Sequence, residues 1–427
     1  MIYYFERGDV LELLGERIKS MRKERKMTLA DVAGERLTKG MLSLIENGKA
    51  NPSMESLQYI AERLNISVSD LLQEPEIDGI SQLLDEAESL YLEYVRTFSK
   101  EREQEIKTIF KQKLEPLFTE RAINHSSYQE VRLFEIYLKG KFAFKEVINR
   151  EQIEQLVNDY EELRAYSRVI QMYTFIGMYD FYNGKDYAAA LPWLNKGIEK
   201  LEKYEHLMDT LDIIDFYYTL TIVYSAVNDV EKTEAYLEKV MLLWKNKKLI
   251  YRHNDFYRFM YYLSLQQDHR EKMAHYLKKM QDFVTLVEDP IEQIMVDAIV
   301  LTYSNYVLKD YAKTLSYTYE KYDERLVKLA EPFLCSEQGY ALLMLGRYEE
   351  AIEKLQAIVI PDANVHPIDL ATIYHGFAIR ALAQFKIGNI EEAKRDILYA
   401  YHGVEGFHDS MHRQFIHAQY ATIMGQE

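Results

Sequence analysis

Six basic residues, Arg17, Lys19, Arg22, Lys23, Arg25 and Lys26, crowd the start of a chain whose formal net charge is −16. Clustered guanidinium and ammonium groups neutralise phosphates, so any contact with a polyanion belongs to this end. Residues 1–73 carry 11 basic and 11 acidic side chains, and the remainder carries 41 and 57, so the excess acid lies entirely beyond the first segment. Within 15–50 the count is 9 basic to 5 acidic; the bland alternative for such a run is a solvated helix face. At the other end, "GFHDSMHRQFIH" sets His408 and His412 four residues apart with Asp409 beside them, a spacing that binds metal on a helix. With no second pair of ligands in view, a polar face on a C-terminal helix is the better reading. No HExxH, Walker loop, GxGxxG or nucleophile elbow occurs, so neither an enzyme nor a cofactor is expected. A single cysteine, Cys335, forms no intramolecular disulfide and fits a reducing cytoplasm. The start "MIYYFERGDVLELL" lacks a basic stretch ahead of an apolar run, and no apolar segment is long enough to span a bilayer. The expectation is a cytoplasmic protein without membrane contact.

The elements that must carry these residues are helical. A length of 427 residues exceeds what one core usually serves, and 48% hydrophobic content suffices for folded cores. Only 8 Pro and 17 Gly interrupt the chain, and alternating β-branched runs are scarce, which predicts an all-α protein. From Leu13 to Leu72 the pattern breaks into five short helices. "TLADVAGE" has Thr28 as N-cap with Asp31 three residues on. "TKGMLSLIEN" starts at a Thr cap and stops at Asn47-Gly48, a left-handed C-terminal signal. "SMESLQYIAERLN" is capped by Ser53 and aligns Leu57, Ile60, Ala61 and Leu64, and "SVSDLL" closes the unit.

This run, "LGERIKSMRKERKMTLADVA…LTKGMLSLIENGKANPSMESLQYIAERLNISVSDLL", closely resembles the lambda-repressor-like, XRE-type helix-turn-helix domain over about sixty residues. The resemblance implies a double-stranded DNA operator read by the second helix of the motif lying in the major groove. Matched position by position, the base-facing residues would be Thr38, Lys39, Gly40, Ser43 and Leu44, with Thr28, Asn47 and Lys49 reaching phosphates. Two features depart from the family. The stretch between Ala33 and Thr38 is one residue shorter than the commonest spacing, and Leu29 stands where a polar Gln is usual. The reading helix also offers no Arg for bidentate guanine contacts, so modest affinity per domain and paired action of two domains are expected. The alternative is the same fold used for protein contacts alone.

"QEPEIDG", Gln73 to Gly79, reads as a linker. Beyond it a phrase recurs: "NGKDYAAALPWL", "VNDVEKTEAYL", "QDHREKMAHYL", "LKDYAKTLSYT", "LGRYEEAIEKL" and "IGNIEEAKRDI", preceded by a weaker "LKGKFAFKEVI". Its anchor positions are Ala190, Thr233, Met273, Thr314, Ala351 and Ala393, a period near forty that marks an α-solenoid of helix pairs. The last two copies resemble tetratricopeptide repeats, with Gly346 and Gly388 at the turn; spacing beyond the usual 34 predicts longer helices in each pair. In such superhelices the first helix of each pair lines the concave wall. In the anchors' register the inward residues are Phe175, Tyr179, Tyr182, Tyr218, Arg258, Tyr262, Tyr303, Tyr306 and Tyr340, with Asn183, Gln266 and Asn305 on or next to that surface. A groove of this composition suits an extended peptide: rings supply contact area, and amides and guanidinium bond its backbone and carboxylate. For any one tyrosine, packing of helix on helix is an equal alternative.

An XRE-type head, a linker and a long repeat array resembles the peptide-pheromone receptors of Gram-positive bacteria known as the RRNPP group, nearest its NprR/PlcR-like members. The resemblance implies a head at 1–73, a linker at 74–80 and a sensing and oligomerising repeat domain at 81–427. It further implies a cytoplasmic homodimer or higher assembly whose repeats bind a short signalling peptide, with Asn305 the first candidate to hold the peptide backbone. The rival reading is a Rap-like adaptor whose acidic repeats sequester a signalling protein.

Overall fold

The computed structural model describes residues 7–47, 49–50, 52–66, 68, 71, 79–97, 99–120, 123–183, 187–360 and 365–425. Every regular element among them is a helix, as the scarcity of alternating β-branched runs requires, and no helix among the described residues is long and apolar enough to cross a membrane. The chain divides into two compact units, Met1–Ser89 and Leu90–Glu427. Most of the expected linker, and most of "SVSDLL", lie outside the described residues.

In the first unit α1 (Arg7–Glu24), α2 (Leu29–Ala33), α3 (Lys39–Glu46) and α4 (Met54–Leu64) enclose one core. Leu14, Ile18, Val32, Ala33, Leu42, Ile45, Leu57, Ile60, Ala61, Leu64 and Leu71 fill it. The caps read from sequence are present. Asp31 N–H donates to Thr28 Oγ1 at 3.2 Å while Thr28 N–H donates to the Asp31 carboxylate at 2.7 Å, a reciprocal capping box. Thr38 and Ser53 accept from Met41 N–H at 3.0 Å and Ser56 N–H at 3.2 Å. Asn47 closes α3 at φ −104°, not in the left-handed region, and Gly48 lies outside the described residues. Gly15 is needed for close approach: a Cβ there would stand 2.2 Å from the Ile45 carbonyl oxygen, so α1 and α3 pack backbone to backbone. Leu29 packs against the core, which accounts for an apolar side chain where a polar one was expected.

The boundary between the units falls within α5 (Ile80–Arg96), which is followed by α6 (Lys100–Glu120) and then by stacked pairs. These are α7 (Tyr128–Ala143) with α8 (Arg150–Glu162), α9 (Tyr166–Asn183) with α10 (Leu191–Tyr204), α11 (Thr210–Ala226) with α12 (Val230–Lys247), and α13 (His253–Gln266) with α14 (Arg270–Val287). Then come α15 (Pro290–Tyr303) with α16 (Tyr311–Ser316), α17 (Glu324–Met344) with α18 (Tyr348–Lys354), α19 (Pro367–Lys386) with α20 (Ile390–Gly403), and a last helix α21 (Met411–Met424). All six anchor residues are buried, none more than 1% exposed, so the period near forty marks the true repeat register.

The turns explain the register. The residue five positions before each of the last five anchors has positive φ: Asn228 61°, Asp268 51°, Lys309 55°, Gly346 73° and Gly388 87°. Each ends its first helix in a left-handed cap, and the next N–H reaches back to a carbonyl five residues earlier, as from Asn389 to Gln384 at 2.9 Å. The fourth copy differs. A π-helical turn over Ser304–Leu308 adds a residue, and Asp310 N–H reaches six back to Ser304. The expectation of longer helices holds for α11 to α14, at 14 to 18 residues, but α16 and α18 have 6 and 7. After α16 the chain leaves the helix so that Tyr317 and Tyr322 can donate to Asp297 at 2.7 and 2.6 Å, and the extra length lies in that connection.

Candidate nucleic-acid interface and ligand surface

In the head, α3 buries Leu42, Ile45 and Glu46. At 100° per residue the opposite face carries Gly40, Leu44, Asn47 and, at its margin, Ser43. Thr38, Lys39, Gly40, Leu44, Asn47 and Lys49 are exposed and Ser43 is half-buried. Met41, absent from the sequence-derived set, is 46% exposed beside Leu44 at 45%, two large apolar side chains on a short helix. Such groups suit thymine methyls better than hydrogen-bonding edges. Sequence reasoning passed over Met41 because family matching, and not exposure, selected the set.

Two residues expected at phosphates are engaged locally. The Thr28 N–H and hydroxyl each donate to the Asp31 carboxylate at 2.7 Å, and these two bonds, the backbone one first, hold the Asp31 carboxyl below its usual range. Asn47 donates Nδ2–H to the Ser43 carbonyl at 2.7 Å and accepts from Lys19 at 3.4 Å. The basic cluster is also not one phosphate-facing group. Arg22 makes a bidentate pair with buried Glu46 at 2.6 and 2.8 Å and donates to the Met27 carbonyl, so it ties α1 to α3. Arg17 donates to the Leu71 carbonyl at 3.1 Å. Lys23, Arg25 and Lys26 are exposed.

In the repeat unit the sequence-derived residues fall into three groups. Tyr179, Tyr182 and Asn183 sit at the C-terminal end of α9. Tyr179 donates to the Ile148 carbonyl at 3.2 Å, Asn183 is exposed and donates back to the Tyr179 carbonyl, and Tyr182 is 43% exposed. Phe175 is buried, its ring edge-on to Phe142.

The second group is Tyr218 on α11 with Arg258, Tyr262 and Gln266 on α13. Arg258 donates to Asp255 at 3.1 Å, and Arg252 lies 4.7 Å above the Tyr218 ring. Burial pushes the Tyr218 hydroxyl up to about 12. Around them the structure brings residues the sequence did not suggest: Tyr187, His366 and Asp369. Tyr187 donates to the Val365 carbonyl at 2.8 Å across 178 residues of chain. The His366 ring lies 6.3 Å from Phe181 and 5.8 Å from Phe259. Burial raises the Asp369 carboxyl, with Arg258 opposing; burial also raises the Tyr182, Tyr187 and Tyr262 hydroxyls, with the Asp369 charge adding to it. A cleft runs past Tyr262, Gln266, Pro367, Ile368, His408 and His412. Nothing in the period foretold this meeting, because a superhelix brings together residues that the repeat spacing keeps far apart.

The third group is a correction. Asn305, expected at the ligand surface, is 1% exposed. Its Nδ2–H donates to the Glu337 carboxylate at 2.7 Å and the Glu337 carbonyl at 2.9 Å, and its Oδ1 accepts from Thr314 at 2.8 Å. The π turn of the fourth copy rotates it into the contact between α15 and α17. Tyr303 packs into the core between α13 and α15. Tyr306 and Tyr340 stack 4.7 Å apart beneath the last helix, whose His412 and Phe415 lie 6.1 Å from Tyr306 and 6.2 Å from Tyr340. These three tyrosines pack against neighbouring helices and stay half-buried. His408 precedes α21 and His412 is buried against His375 at 4.8 Å, so the two do not share a helical face. Burial lowers His412 to about 4.

Residues 15–77 match the family described as "Helix-turn-helix domain". The HTH-type transcriptional regulator DdrOP3 of Deinococcus deserti is 42% identical over 67 residues, 16% of this chain and 52% of that protein. The chain thus spans about half the length of this curated relative. The crystal structure of PlcR from Bacillus thuringiensis with the peptide PapR7 and DNA is 18% identical, covering 68% of this chain and 99% of that one at a TM-score of 0.36. ComR of S. thermophilus, in complex with DNA and its signalling peptide ComS, is 18% identical over 67% and 97% at 0.36. Superpositions of that quality carry over no ligand, partner or assembly. The head is a helix-turn-helix domain, and the function of the whole chain rests on its own geometry.

Proposed function

We propose that this chain is a cytoplasmic, DNA-binding transcription regulator whose repeat domain, residues 81–427, binds a short signalling peptide and sets the spacing of two heads in a homodimer. The observation that carries the DNA reading is the free face of α3, where Gly40 and Leu44, with Ser43 at the margin, lie opposite the buried Leu42, Ile45 and Glu46 and exposed Lys39 stands at the helix start, within a matched helix-turn-helix domain. Lys39, Lys49, Lys23, Arg25 and Lys26 supply cations for phosphates, and the acidic excess lies entirely beyond residue 73, so binding is local and salt-sensitive. The peptide reading is supported by Tyr182, Tyr218, Arg258, Tyr262 and Gln266, which offer ring faces, hydroxyls and one guanidinium along the first helices of successive pairs. Asn305 is no part of it.

Peptide binding alters the pitch or docking of the repeats and so the distance between heads, whose half-sites recur at about 34 Å per turn. Full switching requires the peptide to prefer one state by about 5.5 kcal/mol. The direct test of the DNA reading is anisotropy of labelled duplexes from the chain's own upstream region across a salt series. A specific complex whose affinity falls steeply with salt supports it; equal affinity for upstream and scrambled duplexes refutes it.

A further inference from the structure

The ligand surface already has an occupant. Residues Val365–Asp369 follow a connection from α18 and meet Tyr187, Phe181 and Phe259 beside the sequence-derived Tyr262 and Gln266. The Val365 carbonyl accepts from Tyr187, His366 lies between Phe181 and Phe259, Pro367 and Ile368 wall the cleft with Tyr262 and Gln266, and the Asp369 carboxyl lies in the field of Arg258. A backbone carbonyl held by a hydroxyl and a ring set beside two rings are contacts a peptide makes with such a surface, and Pro367–Asp369 present themselves to it from the first turn of α19.

We propose that Val365–Asp369 is a tethered competitor for the peptide site, so that the ligand is a short peptide carrying an apolar or imidazole side chain and a carboxylate for Arg258, and binds by displacing this segment. The inference rests on the peptide-binding reading above. The segment is also built to release. His366 is the N-cap of α19, its Nδ1 accepting from Ile368 N–H at 3.1 Å and its carbonyl from Leu370 N–H at 3.0 Å, so departure frees one helical turn and leaves the rest of α19 intact. A tethered copy acts at an effective concentration on the order of millimolar, which weakens a free competitor without preventing its binding.

The test uses the full-length protein and a synthetic probe, N-terminally labelled Gly-Val-His-Pro-Ile-Asp with a free C-terminus, followed by anisotropy. The double variant His366→Ala, Asp369→Asn is expected to bind the probe at least tenfold more tightly than the unmodified protein, and adding Arg258→Ala is expected to abolish the gain. A readout that needs no variant is hydrogen exchange of the unmodified protein saturated with probe, in which the Ile368 and Leu370 amides are expected to exchange faster. Arg258-dependent binding with those amides unchanged, and with no gain in the double variant, overturns displacement and leaves the peptide-binding reading standing. Absence of probe binding to every folded protein overturns both.

Discussion

Replacing Glu337 by Gln removes a proton-binding group from the middle of the repeat domain while keeping its shape. Glu337 is 3% exposed and accepts from Thr302 at 2.7 Å and Asn305 at 2.7 Å. Burial raises its carboxyl from an ordinary 4.5 to about 7, with those two bonds opposing. Because the folded value lies above the unfolded one, the folded state binds this proton more tightly. The stabilisation is therefore complete below pH 4.5 and is lost as pH rises to about 7. At 1.36 kcal/mol per pH unit the loss is about 3 kcal/mol. Glu337→Gln has nothing to titrate, so its stability relative to the unmodified protein rises by about 3 kcal/mol between pH 4.5 and 7, from a start below it by about 1–2 kcal/mol for a weakened hydrogen-bond network. The buried histidines His366, His375 and His412, all lowered by burial, titrate in both proteins and cancel in the difference. The chain's two tryptophans, Trp193 and Trp244, both lie in the repeat unit, so urea unfolding followed by tryptophan fluorescence reports that unit alone. Stability profiles that stay parallel across this window would refute the reasoning.

Lys39→Ala and Lys49→Ala are each expected to weaken binding to upstream and scrambled duplexes alike and to lower the salt slope by about one, measured by anisotropy from 50 to 200 mM salt. Gly15→Ala places a Cβ 2.2 Å from the Ile45 carbonyl oxygen, forces α1 from α3 and is expected to destabilise the head by about 1–3 kcal/mol, read as faster limited proteolysis of that unit. Lys309→Gly relieves a left-handed lysine at φ 55° and is expected to stabilise the repeat unit by about 1 kcal/mol, seen as a higher urea midpoint.

What the sequence disclosed, and what it hid, follow from the range of the forces. Caps act over three residues, so Thr28, Thr38 and Ser53 were legible at once. The repeat register was legible because Ala190, Thr233, Met273, Thr314, Ala351 and Ala393 recur where helices touch. Turns written with glycine, at Gly346 and Gly388, were equally plain, whereas Asp268 and Lys309 adopt the same backbone in a residue type that gives no warning. Asn305 was misplaced because the π turn adds one residue that no pattern encodes, and because its partner Glu337 is 32 positions away. Tyr303, Tyr306 and Tyr340 were in register but lie in packed contacts, the last two under α21. Arg22 looked like a phosphate ligand until Glu46 came beside it. Tyr187, His366 and Asp369 could not be found at all by period, since superhelical closure brings together residues 178 positions apart.

The most direct test of the central claim is anisotropy binding of the full-length protein to a duplex from its own upstream region, with and without synthetic peptides cut from any adjacent small open reading frame. The account predicts a specific, salt-sensitive affinity that one peptide changes at least tenfold and that Arg258→Ala makes indifferent to the peptide. Identical affinity with and without every such peptide would contradict it.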